Sequence, residues 1–260
     1  MVSNERFSVP LLAKLIPDGV RPGTILLVEF DPESQWFTVA TTIIARWLQE
    51  GHHAGYVAFA RPPEDIIRDL SALGVDVPAA VKSGRLLLGD WYSATLTGGR
   101  LDSAKPEASL FEPIPSGFRV RSLKVADLSV VWLKTAKEGP QPHDVDTTWP
   151  AGSLFVGESL SVLLRFNEEK AYMEYAETRV LPEDRRFGRI MLYGIVRGIH
   201  SEWLYKRMEA ACDGVIDIRV IEQEGVAKDL LRVRSLRGQP RDATWHTIEI
   251  RGKGEAVLTN

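Results

Sequence analysis

Thr24-Ile25-Leu26-Leu27-Val28-Glu29-Phe30 is followed by the polar turn Asp31-Pro32-Glu33-Ser34 and then by a helical pattern over residues 37–50. An almost unbroken apolar run rich in branched residues predicts a strand buried on both faces, as in a parallel sheet. In the next segment Val39, Ile43, Ile44, Trp47 and Leu48 share helical spacing, and Gly51 stands where a helix C-cap belongs. Outward from this unit the pattern repeats. A strand over 54–60 stops at Pro62-Pro63, a helix over 64–73 closes at Gly74, and a short strand follows over 85–89. Further on come a strand over 153–157, a helix over 168–179, a strand over 189–196 and a helix over 202–211. This alternation predicts right-handed βαβ units and a mainly parallel sheet flanked by helices. From Gly214 the pattern changes to alternating strands over 215–220, 230–234 and 247–250, which predicts antiparallel strands at the C-terminal end. Residues 94–115 read as a long loop or edge hairpin, 120–137 as a helix and 138–150 as a turn-rich connector. No repeat or linker divides the chain, so residues 1–260 are expected to form a single α/β domain.

Composition excludes several function classes. With 32 Lys and Arg against 35 Asp and Glu, the net charge is −3, whereas nucleic-acid binders usually carry a basic excess. The single cysteine, Cys212, cannot form an internal disulfide and fits a reducing compartment. The five histidines are scattered without metal-ligand spacing, so no metal site is expected. No apolar run is long enough for a membrane span, and residues 1–7 do not read as a signal peptide. The expected setting is the cytoplasm, away from membranes.

A strand, a polar loop and a helix in this order form the frame of a phosphate-binding loop, whose working pattern is GxxxxGK[ST]. The stretch from Leu27 to Thr38 resembles the first strand and Walker A loop of KaiC-like members of the RecA superfamily of P-loop ATPases. Four more stretches carry the resemblance in the family's order. Tyr56-Val57-Ala58-Phe59 with Pro62-Pro63-Glu64-Asp65-Ile66 is similar to the second strand and the acidic helix start after it. Asp90-Trp91-Tyr92-Ser93 resembles the Asp-x-Tyr-Ser element, and the segment from Glu158 to Arg165 resembles the Walker B region. The tail from Leu231 to Gly238, with Trp245-His246 beyond it, resembles the C-terminal segment. The resemblance covers most of residues 10–250 and implies a RecA-like fold with hexameric or smaller self-association.

The functional argument lies in the departures from that pattern. Register on the strand puts the first Walker A glycine at Phe30, the later glycines at Glu33 and Gln35, the lysine at Trp36 and the first threonine at Phe37. Thr38 alone matches a family hydroxyl. Asp31 and Glu33 place negative charge where phosphates lie in the family, and a like-charge contact at about 4 Å costs roughly 4 kcal/mol at an effective dielectric near 20. The glutamate pair that activates water in the family corresponds to Ala60 and Arg61, neither of which is a general base. The Walker B aspartate corresponds to Glu158, and the inter-subunit Lys-x-Arg finger to Ser235-Leu236-Arg237, which keeps only Arg237. Phosphoryl transfer relies on all of these parts.

The expectation is therefore a non-hydrolysing pseudo-ATPase with no catalytic residues and a vestigial nucleotide site at Phe30, Asp31, Glu33, Ser34, Gln35, Trp36, Phe37, Thr38 and Glu158. No cofactor is expected, and ATP and Mg²⁺ enter only if the degenerate site still binds. The protein would act in signalling through contacts with itself and with a protein partner. The alternatives are an ATPase or kinase with a rewired site and a DNA-binding recombination mediator like RecA or RadB. Each residue also has a plainer reading. Thr38 reads as a helix-start hydroxyl serving backbone donors, Trp36 and Phe37 as apolar anchors, and Glu158 as a carboxylate satisfied by nearby N–H groups. Asp31 and Glu33 read as a solvated turn, and Arg232, Arg234, Arg237 and Arg241 as a basic run facing solvent or a neighbouring subunit. Cys212, Trp203 and Met208 read as core residues.

Overall fold

Strand β1 (Ile25–Phe30) is buried along its whole length and pairs in parallel with a strand on either side. Leu26, Val28 and Phe30 enter one hydrophobic core, and Ile25 and Leu27 enter a second core on the other face. This doubly covered strand follows from its uninterrupted apolar sequence. The computed structural model describes residues 5–92, 111–113, 119–122, 149–165 and 167–259.

The chain continues through α1 (Trp36–Gln49), β2 (Ala54–Ala58), α2 (Pro63–Ala72), α3 (Val77–Lys82) and β3 (Leu86–Asp90). Short strands β4 (Phe111–Pro113) and β5 (Arg119–Ser122) come next, then β6 (Leu154–Gly157) and α4 (Leu160–Leu164). Helix α5 (Glu169–Tyr175) runs through a π-helical turn (Ala176–Val180) into α6 (Leu181–Arg186). The wide turn ends two residues before Pro182, whose ring nitrogen has no proton to donate into a regular helix. After β7 (Ile190–Val196) and α7 (Glu202–Ala211) the chain ends in β8 (Gly214–Gln223), β9 (Val226–Leu236), β10 (His246–Arg251) and β11 (Glu255–Thr259).

These strands form one sheet in the order β11-β10-β9-β8-β1-β7-β6-β2-β3-β5-β4. The pairs from β8 through β1, β7, β6, β2, β3 and β5 are parallel, while β8 to β11 and the β4–β5 pair are antiparallel. The mainly parallel sheet with flanking helices and an antiparallel C-terminal end is the predicted architecture. Helices α1 to α3 cover one face and α4 to α7 the other. Chain reversals at the C-terminal ends of β1, β2, β6 and β7 therefore converge on one crest of the sheet, where open α/β folds bind ligands.

Two of these sequence expectations change. The helix predicted over 120–137 does not begin at residue 120, because Arg119–Ser122 is strand β5; its remainder, and most of 94–115 and 138–150, lie outside the described residues. Ser93, the last member of the Asp-x-Tyr-Ser resemblance, also lies outside them. Trp203, read as core, is 46% exposed, whereas Met208 on the same helix is buried. Cys212 is buried as read, and burial pushes its thiol up to about 12, so it stays protonated.

Candidate functional site

The turn after β1 is short: residues 31–35 connect Phe30 directly to the first turn of α1. A phosphate-binding loop would leave its backbone N–H groups free to face a ligand. Here the Asp31, Ser34 and Gln35 N–H groups bond within the chain. The Asp31 N–H donates to the Ile218 carbonyl at 3.1 Å, and its carboxylate accepts the Val220 N–H at 3.0 Å, which ties the turn to β8. The Gln35 N–H, at the entrance of α1, donates to the Asp229 carboxylate of β9 at 2.8 Å. A carboxylate of the protein thus stands at the helix start, where an anionic ligand would otherwise be favoured. Ser34 is buried and its Oγ has no hydrogen-bond partner among the described residues.

The aromatic side chains fill the crest. Phe30 and Trp36 are both 1% exposed, with ring centroids 5.9 Å apart, and Phe37 packs edge-on to Phe30 at 5.8 Å. The Trp36 indole N–H donates to the Glu158 carbonyl at 2.7 Å, crossing from α1 to the end of β6. Gly194 of β7 makes room for this bridge. A Cβ built there would overlap the Glu158 carbonyl and come 2.5 Å from Trp36 Nε1. The position matched to the Walker A lysine therefore carries an indole locked into the sheet.

Glu158 is fully buried, and both of its carboxylate oxygens are occupied. One accepts the backbone N–H groups of Phe59, Ala60 and Arg61 at 2.9, 2.7 and 3.1 Å. The other accepts the Tyr56 hydroxyl at 2.7 Å and lies 3.6 Å from Arg61 Nε. Burial, and next the Glu158 charge, hold the Tyr56 phenol well above its usual range, so it remains a donor. Burial pulls the Arg61 guanidinium down, but Tyr56, Glu158 and Asp69 outweigh it, so its pKa lies above its usual value. Arg61 also pairs with Asp69 at 2.9 Å and lies over the Phe37 ring.

These residues do not fit ATP and Mg²⁺. A metal held by Glu158 would compete with four hydrogen-bond donors and the nearby Arg61 guanidinium, all of which direct protons at the carboxylate. Ala60 and Arg61 contribute their backbone N–H groups to the same carboxylate. Phe30, Asp31, Glu33, Ser34, Gln35, Trp36, Phe37, Thr38 and Glu158 thus fall in one region, but as a packed junction between β1, β2, β6 and β9. Glu33 is exposed, while Asp31 is partly buried rather than solvated. Thr38 does not serve backbone donors at the helix start; its hydroxyl donates to the Gln35 side-chain oxygen at 3.1 Å.

The basic run of the tail is paired within the chain. Arg232 donates to Asp217 at 2.8 Å, and Arg234 to Glu29 at 2.7 Å and Glu209 at 2.9 Å. Glu29 and Asp217 are buried on adjacent strands, which explains why two arginines turn inward from β9. Burial raises Glu29, and Arg234 opposes that. Arg237 donates to the Ala210 carbonyl at 2.6 Å and so caps the C-terminal end of α7. Sequence reading missed Asp229 and Tyr56 as parts of this junction. Asp229 could not be found because its partner lies 194 positions away. Tyr56 reads in the sequence only as a strand residue.

No family model matches the chain, and no curated protein matches it. Among solved structures, the chain is similar to a KaiC-like protein, PH0186, from the hyperthermophilic archaeon Pyrococcus horikoshii OT3. The TM-score is 0.66 at 17% identity, over 100% of both chains. At that identity the likeness carries the fold alone, which is the KaiC-like RecA/P-loop arrangement. No helix among the described residues is long and apolar enough to cross a membrane.

Proposed function

We propose that this chain is a RecA-fold pseudo-ATPase: a protein that keeps the architecture of a nucleotide-hydrolysing domain, binds no ATP·Mg²⁺ and works as a regulatory or scaffold protein. The observation that carries this reading is the saturation of Glu158 by Phe59, Ala60, Arg61 and Tyr56, with Trp36 bridging to its carbonyl. Glu158, Trp36, Ala60 and Arg61 are engaged in bonds within the chain rather than facing a ligand. The rewired-ATPase alternative needs Glu158 free to hold metal, and its donor set counts against that. Action through protein contacts, including self-association in the cytoplasm, follows from the fold's resemblance. Exposed Ile199, Trp203, Ile221 and Val226 provide apolar surface for it.

A phosphate-release assay on the wild type and Glu158→Gln tests the reading. Equal rates, indistinguishable from buffer, are expected. Turnover that falls in the variant contradicts it. Light scattering with and without ATP·Mg²⁺ should give the same molecular mass, because assembly does not depend on nucleotide.

A further inference from the structure

A second polar cluster lies at the same crest, at the ends of β6 and β7, and the junction around Glu158 makes no use of it. Ser161, in α4, is 4% exposed. Its Oγ accepts the Val196 N–H at 2.9 Å and lies 2.8 Å from His200 Nε2. With Nε2 unprotonated, the hydroxyl donates to the imidazole across this contact. The other ring nitrogen, Nδ1, lies 3.4 Å from Glu169 Oε1. Glu169 is itself held in place: its carboxylate accepts the Ser201 N–H at 3.0 Å and the Ser201 hydroxyl. Ser201 also caps α7 by accepting the Leu204 N–H at 3.2 Å. Hydroxyl, imidazole and carboxylate thus come from three separate segments, and the hydroxyl and carboxylate are each oriented by further hydrogen bonds.

We infer that Ser161, His200 and Glu169 form a nucleophile, general base and orienting carboxylate for acyl transfer from esters of apolar acids. Such triads are recognised by geometry and role, on unrelated folds. The Nδ1–Glu169 separation is long for a hydrogen bond, as catalytic pairs often are before substrate tightens them. In the first step Ser161 Oγ bonds to the ester carbonyl carbon and its proton passes to His200 Nε2. The C–O bond to the alcohol then breaks and the alcohol leaves with that proton. In the second step water attacks the acyl-serine, gives a proton to His200, and the acid departs as the proton returns to Ser161. Net consumption is one ester and one water. Exposed Ile199 and Trp203 flank His200 in sequence and favour an apolar acyl chain over a charged one.

The test is incubation of the full chain with an alkyl fluorophosphonate, read by intact mass and peptide mapping. Here Ser161 Oγ bonds to phosphorus, the P–F bond breaks and the proton goes to His200. The expected result is a single adduct on Ser161 in the wild type, with the labelling rate falling about 100-fold or more in His200→Gln, in line with the usual contribution of a general base. Mapping on the wild type needs no variant to fold, and circular dichroism establishes that His200→Gln is folded before its rate is compared. Absence of an adduct at Ser161, or labelling of His200→Gln at the wild-type rate, overturns the proposal. Neither outcome bears on the nucleotide-site reading, which rests on different residues.

Discussion

Two polar constellations share the crest of this sheet, and they differ in what is left over after folding. Around Glu158, every strong acceptor faces a donor from the chain, and the space between β1, α1 and β7 holds the Phe30 and Trp36 rings. Around Ser161, a hydroxyl and an imidazole face each other, with a carboxylate behind the imidazole. The first arrangement stabilises a junction in which both carboxylate oxygens of Glu158 face donors of the chain. The second keeps a proton acceptor beside a hydroxyl. Position at a switch crest therefore does not make a site; the balance of donors and acceptors there decides it.

The largest expected effect comes from breaking the first constellation at its centre. Glu158→Ala strands three buried backbone N–H groups and the Tyr56 hydroxyl proton, and leaves Arg61 with Asp69 as its remaining carboxylate partner. It should lower the unfolding free energy by about 3–5 kcal/mol, measured by denaturant titration. An ordinary catalytic carboxylate would cost little stability when removed, so a loss below about 1 kcal/mol would count against the junction role. Trp36→Ala removes a buried indole and its bridge to the Glu158 carbonyl, with an expected cost of about 3–5 kcal/mol in the same experiment.

Gly194→Ala tests the same bridge from the opposite side. The added methyl collides with the Glu158 carbonyl and the Trp36 ring, and overpacking of this kind costs about 1–3 kcal/mol. In the Trp36→Ala background the collision with the ring is relieved, so the two costs should be less than additive in a double-mutant cycle. The smallest effect is at the entrance of α1. Asp229→Ala removes the acceptor of the Gln35 N–H and should cost about 1 kcal/mol, as loss of a helix cap does.

How much of this was legible in the sequence follows from how local each feature is. β1, α1, β2 and the long helix α7 are written in local periodicity, and they appear within a residue or two of the expected bounds except that β2 ends two residues early. Helix α3 was missed because it has only six residues, although Asp76 caps it and Pro78 sits in its first turn. Strand β11 was missed as a five-residue segment whose burial depends on packing against α1. That the turn after β1 carries Phe30, Asp31, Glu33 and Trp36 rather than a Gly-rich, Lys-bearing loop was legible, since it needs only register on one strand. The partners that hold this turn were not. Asp229 and Gly194 reach the loop through the tertiary fold, and no local pattern reports such pairs. The same holds for Ser161, Glu169 and His200, which stand apart in sequence and meet only when β6 and β7 lie side by side. The arginines of the tail show the converse. Their strand-like spacing was visible, but the buried carboxylates that pair with them lie on other strands.

The central claim is that this crest no longer accepts a nucleotide, and calorimetric titration of the full chain with ATP·Mg²⁺ tests it most directly. The account predicts no saturable heat up to millimolar nucleotide, where each tenfold in affinity corresponds to about 1.4 kcal/mol. Saturable binding at micromolar ATP, together with release of phosphate, would contradict it.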